Sequence, residues 1–197
     1  MRRNLPQVLA FFLLATNSAA QSPAVARIAA NDNRTPAGAL ENGLLTVTLE
    51  VRNGRWYPEA DNGASVEVQA FAEAGHAPST PGPLIRVPEG TRVRATLRNK
   101  LALPARVLGL GTRPLVASDG IVIAPGRDTT ITFEAGAPGT YYYWGTTKDH
   151  GLDDRGPEES QLSGAFIVDP KLPSQRLPDR VFVLGLWNEP ASTVNGV

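Results

Sequence analysis

The stretch Pro81-Gly-Pro-Leu-Ile-Arg-Val-Pro-Glu-Gly-Thr-Arg-Val-Arg-Ala-Thr-Leu-Arg-Asn-Lys-Leu101 sets the reading of the whole chain. Within it Val93, Ala95 and Leu97 alternate with Arg92, Arg94, Thr96 and Arg98. Successive side chains on a strand point to opposite faces, so this pattern predicts a strand with an apolar inner face and a basic outer one. Outward from it the same period recurs. Leu45, Val47, Leu49 and Val51 alternate with Thr46, Thr48, Glu50 and Arg52, and Val66 and Val68 flank Glu67. Ile131 and Phe133 alternate with Thr130, Thr132 and Glu134, and residues 141–144, 164–168 and 181–187 complete the predicted strands. Residues 74–83, rich in Gly and Pro, predict a loop. Beyond the N-terminal segment no stretch has helical periodicity. Many short strands punctuated by Gly and Pro predict an antiparallel sandwich or barrel.

Composition narrows the possibilities. The 197 residues suffice for one β-rich domain, or one domain and part of another. Nineteen basic residues balance nineteen acidic ones, so no net field draws nucleic acid or an anionic membrane. There is no cysteine, so the fold is held by packing without disulfides. At the N-terminus Arg2 and Arg3 precede the apolar run Val8-Leu-Ala-Phe-Phe-Leu-Leu-Ala15 and the small residues Ser18, Ala19 and Ala20. A positive end, a short apolar run and an Ala-x-Ala-like site predict a secretory signal peptide, cleaved after Ala20 or, failing that, after Ala26. A span would need about 20 apolar residues. The expected product is periplasmic or secreted, with no membrane attachment after cleavage.

Three segments carry a family resemblance. The quoted stretch resembles the opening of the first plastocyanin-like domain of a multicopper oxidase. Gly139-Thr-Tyr-Tyr-Tyr-Trp-Gly-Thr146 and Leu162-Ser-Gly-Ala-Phe-Ile-Val-Asp-Pro170 resemble that domain's closing strands. Composition alone leaves immunoglobulin-like and cupredoxin-like sandwiches tied; the resemblance implies an all-β, cupredoxin-like Greek-key β-sandwich, with copper ion binding and oxidoreductase activity as the family's functions. The family carries its copper ligands in a His-x-His-Gly and a Tyr-His-x-His motif. Here those motifs read Leu108-Gly-Leu-Gly111 and Tyr143-Trp-Gly-Thr146, so the ligand positions fall on Leu108, Leu110, Trp144 and Thr146.

None of the four supplies an imidazole. Side chains two apart on a strand point the same way, so Leu108 and Leu110 are expected to turn together into the former metal cavity. Burying each is worth about 1.5–3 kcal/mol. Trp144 adds bulk, and Thr146 is expected to satisfy its hydroxyl on the backbone. A blue-copper centre needs a thiolate and two imidazoles, and the family's trinuclear cluster uses eight histidines from two domains. With no thiol and only His76 and His150, the chain is not a complete multicopper oxidase. No catalytic residue and no bound cofactor are expected, copper being the cofactor of the family. His76 and His150 are the alternative metal ligands, the second near Asp149, Asp153 and Asp154, against the plainer reading of two solvated loops. There is no Gly-x-Ser-x-Gly elbow, phosphate loop or His-Glu-x-x-His. Glu158 and Glu159 are adjacent, so their side chains are expected to diverge.

The chain divides into a signal peptide (1–20), an irregular lead-in (21–43), the plastocyanin-like domain (44–170), a linker (171–179) and residues 180–197, read as the first strand of an incomplete second cupredoxin domain. A fragment of a longer polypeptide and a truncated gene product both fit. Both faces of residues 181–187 are apolar, which calls for cover from a later domain or for attachment along the first. The expected role is therefore an exported, copper-free unit that packs against later cupredoxin domains or forms a homo-oligomer. A free-standing exported binding module, or a small metal-binding protein using His76 and His150, are the alternatives.

Overall fold

Leu45, Val47, Leu49 and Val51 point one way along β3 (Leu44–Trp56) and all are buried, as the alternation predicted. The computed structural model describes residues 25–115, 120–156, 158–171 and 179–185. The signal peptide and its site after Ala20 lie outside them. Around β3 builds a sheet in the order β1 (Ala29–Ala30), β5 (Ser79–Thr80), β4 (Val66–Glu73), β3, β7 (Arg92–Asn99), β10 (Asp128–Glu134), with β2 (Ala39–Glu41) also paired to β3. A second sheet runs β6 (Gly82–Pro88), β12 (Ser163–Asp169), β11 (Gly139–Thr146), β8 (Ala105–Leu108), β9 (Ile121–Ile123). Among the described residues the only helical turn is a 3-10 turn, Leu152–Asp154, and no helix is long and apolar enough to cross a membrane.

The sheets are mixed rather than antiparallel throughout. β3 runs parallel to β7, β6 to β12 and β1 to β5. Period-two alternation says which face of a strand is apolar and nothing of its neighbour's direction. One core fills the space between the sheets, with Phe71, Tyr143 and Phe166 its largest members. Phe71 and Tyr143 lie 5.0 Å apart at their ring centroids, and the Tyr143 hydroxyl donates to the Pro83 carbonyl at 2.6 Å. That bond gives the buried phenol the partner it needs.

The lead-in, expected to be irregular, belongs to the sandwich. It contributes β1, β2 and the buried side chains Ile28 and Ala37, and it is bridged at Arg27 to Arg55 and at Pro36 to Leu84. Residues 74–83, expected to be one loop, include β5 and the start of β6. Residues 181–185, expected to be strand, pair with no neighbour in a ladder. They lie across the outer face of β6 and β12, where Val181 and Val183 pack on Leu84, Ala165 and Ile167. This strap is pinned by Arg86, which donates to Asp169 at 3.0 and 3.1 Å and to Asp179 at 3.0 and 2.8 Å. The Asn33 amide adds a bond to the Val181 carbonyl.

Candidate functional site

Leu108, Trp144 and Thr146 share the outer face of the five-stranded sheet. Ala105 and Val107 of β8 enter the core, so Arg106 and Leu108 face outward. On β11, Tyr141 and Tyr143 face inward, which turns Tyr142, Trp144 and Thr146 out. The register sets Trp144 directly opposite Leu108, and Thr146 opposite Arg106. Leu110 does not join them. Gly109 adopts a left-handed φ of +82°, which breaks the alternation, and Leu110 drops into the main core with 7 % of its surface exposed. A side chain at 109 would meet the Tyr142 carbonyl oxygen at 2.3 Å, so the turn requires glycine here. The expectation that the two leucines turn inward together is thus corrected: Leu110 is core, and Leu108 is half-buried on the other face.

A loop covers this outer face. Residues 147–156 and 158–160, where a solvated loop was expected around His150, fold back over β11. Glu159 is fully buried beneath it. Its carboxylate accepts the Thr146 hydroxyl at 2.8 Å, the Thr147 hydroxyl at 2.6 Å and the Thr147 backbone N–H. The Thr146 oxygen in turn accepts the N–H groups of Lys148 and His150 at 3.2 and 3.3 Å. Burial pushes the Glu159 carboxyl up, but the hydrogen bonds from Thr147 and Thr146, with His150 nearby, outweigh it and hold the group below the usual carboxylate range. Further ties close the loop. Asp149 pairs with Arg106 at 3.1 Å and Lys148 with Glu158 at 3.2 Å, while Gln69 on β4 donates to the Glu158 carbonyl and to Thr147. Arg155 stacks over Trp144 at 5.3 Å.

The adjacent acids do diverge, as expected: Glu158 is exposed and Glu159 buried. Sequence reading missed that Glu159 would anchor the loop. The available signal was the Thr146-Thr147 pair, two hydroxyls a short loop away from an acid. Thr146 does meet the backbone, accepting from Lys148 and His150, but its proton goes to the Glu159 side chain.

His150 is half-buried, with Nδ1 at 3.7 Å from Glu159 Oε2, and that nitrogen has no hydrogen-bond partner. His76 is exposed in the turn after β4, its N–H donating to the Glu73 carbonyl and its own carbonyl accepting from Arg52. The two histidines belong to separate neighbourhoods. Among the described residues no group of three or more His, Cys, Asp or Glu is placed to hold a metal ion. The four positions that the resemblance sets against the family's ligands carry no imidazole. Leu108 and Trp144 present no lone pair suited to a metal, and the Thr146 hydroxyl is committed to a buried carboxylate.

Comparison with known proteins gives this geometry a lineage. A family model described as multicopper oxidase matches residues 64–172. A probable nitrite reductase-hydroxylamine oxidoreductase fusion protein of Kuenenia stuttgartiensis is 31% identical over 169 residues, which is 80% of this chain and 18% of that protein. Copper nitrite reductase from Nitrosomonas europaea superposes with a TM-score of 0.52 at 28% identity, covering 66% of this chain and 45% of the other. A variant of the McoA multicopper oxidase from Aquifex aeolicus gives the same TM-score at 18% identity, covering 74% and 30%, which supports the shared fold alone. The chain therefore spans less than half the length of each of these relatives.

Proposed function

Because this chain belongs to the multicopper oxidase family, we propose that it is a cupredoxin-like domain of that lineage which has given up copper and serves as an exported packing unit. One observation carries this reading: the Thr146 hydroxyl, at a ligand position of the family, is spent on the buried Glu159, while Leu108 and Trp144 face each other across β8 and β11. A loop held by hydrogen bonds organises the place where a metal would organise the family's histidines. The part of the apolar pair Leu108 and Trp144 left exposed beside the loop then meets later cupredoxin domains of the same polypeptide, a reading supported by relatives of which this chain covers only 45% and 18%. Residues 180–197 fit the beginning of such a domain. Any copper binding and oxidoreductase chemistry in a longer parent would reside in those later domains.

Export follows from the N-terminal segment. Cleavage after Ala20 leaves Ala26 in place to accept the Arg55 N–H at 2.8 Å; cleavage after Ala26 would create a charged terminus beside that bridge, which favours Ala20. The test of the central claim is elemental analysis after loading the purified chain with Cu(I) or Cu(II) and dialysing. Copper well below one per chain is expected. One tightly held copper per chain, lost on His150→Ala or His76→Ala, would overturn the reading and restore the small metal-binding protein.

A further inference from the structure

A cleft of about 460 Å³ opens where β11, the loop of residues 147–160 and the terminal strap meet. Its size is within the ordinary range of small-ligand sites, about 300–1,000 Å³. Tyr142 and Arg155 form one end, Leu152 and Leu184 the sides, and Asp153 also contributes to the lining.

The chemistry at the Arg155 end is unbalanced. The guanidinium donates to the carbonyls of Glu159 and Leu162 at 3.4 and 3.1 Å and to the Tyr142 hydroxyl at 2.8 Å. All three acceptors are neutral, and no carboxylate pairs with Arg155 among the described residues. A guanidinium has five N–H donors, so two are unspent: one on Nη2, and Nε, which is buried without a partner. Tyr142 accepts a bond from the cation, which leaves its own proton to donate elsewhere. The sides are apolar and open to water, Leu152 with 48% and Leu184 with 92% of its surface exposed. A cation with spare donors at one end of an apolar slot suits an anion with an apolar body.

We infer that this cleft binds small apolar monocarboxylates. The carboxylate accepts from the Tyr142 hydroxyl and the remaining Nη2 proton, and the body lies between Leu152 and Leu184. Asp153 on the cleft wall repels negative charge, and a dianion more than a monoanion, so the site favours monoanions.

The probe is phenylacetate, titrated calorimetrically into the full 197-residue chain, with phenylacetamide as its neutral counterpart and phenylmalonate as the dianion. Saturable binding at one site is expected, with the amide and the dianion each weaker by at least about tenfold. Leu184→Glu alters a side chain that supports no packing, so the fold is retained, and it should weaken phenylacetate by at least about tenfold through apolar loss and repulsion. Tyr142→Phe should weaken the acid and leave the amide unchanged. No saturable heat up to about 10 mM, amide binding equal to the acid, or indifference to both substitutions would each overturn the proposal.

Discussion

At Thr146 a side chain on the outer face of a sheet has only 1% of its surface exposed, because Glu159 closes over it. Replacing Glu159 with Ala strands the Thr146 hydroxyl and the Thr147 N–H, and should destabilise the domain by about 2–4 kcal/mol in chemical denaturation. Glu159→Gln tests the charge. The folded carboxyl lies below its ordinary value, so the stability it contributes is complete above the unfolded value, about 4.3, and is lost as pH falls through the lower folded one. The gap between wild type and Glu159→Gln should therefore hold steady at neutral pH and narrow below about pH 4.3; a gap that widens on acidification would contradict the assignment. The two leucines should part company as well. Leu110→Ala removes a core side chain and should cost about 2–5 kcal/mol, whereas Leu108→Ala, half-buried on the outer face, should cost about 1 kcal/mol or less. Their identity was legible in the sequence; their divergence depends on the backbone at Gly109, which the leucine spacing cannot report.

The strap of residues 179–185 is the element whose sequence and structure differ most. Its alternation of apolar residues was visible, yet residues 181–185 form no ladder. One face is used on Leu84, Ala165 and Ile167, and the Arg86 fork to Asp169 and Asp179 fixes it there. Ending the chain at Pro178 should uncover that cluster and lower stability by about 1–3 kcal/mol, the scale of two partly buried valines. Hydrogen exchange should then quicken in β6 and β12 and stay unchanged in β3 and β7. Equal exchange in both sheets would show that the strap contributes no cover. Strands β3, β7 and β10 were legible because each carries a long period-two run with one face in water. β5 and β9, of two and three residues, are too short for any period to register, and the lead-in acquires structure because Arg55, Ser79, Leu84 and the start of β3 offer it edges to pair with.

For the whole molecule, Phe182 and Leu184 stand out with 81% and 92% of their surfaces exposed. Large apolar groups clustered beside a cleft invite association. The double change Phe182→Ser and Leu184→Ser should reduce self-association in sedimentation velocity, with stability altered by no more than about 0.5 kcal/mol. Unchanged association would assign it to another surface, such as the exposed edge of β10. The sequence by itself determined the all-β class, the apolar faces of the longer strands and the family, since each depends only on residue identity and local period. The tertiary structure alone decided which strands run parallel, that Leu108 faces Trp144 while Leu110 enters the core, and that Glu159 sits under a closed loop. Those outcomes depend on pairings between residues far apart in the chain, and local pattern carries no information about which distant partner a strand, a hydroxyl or a carboxylate will meet.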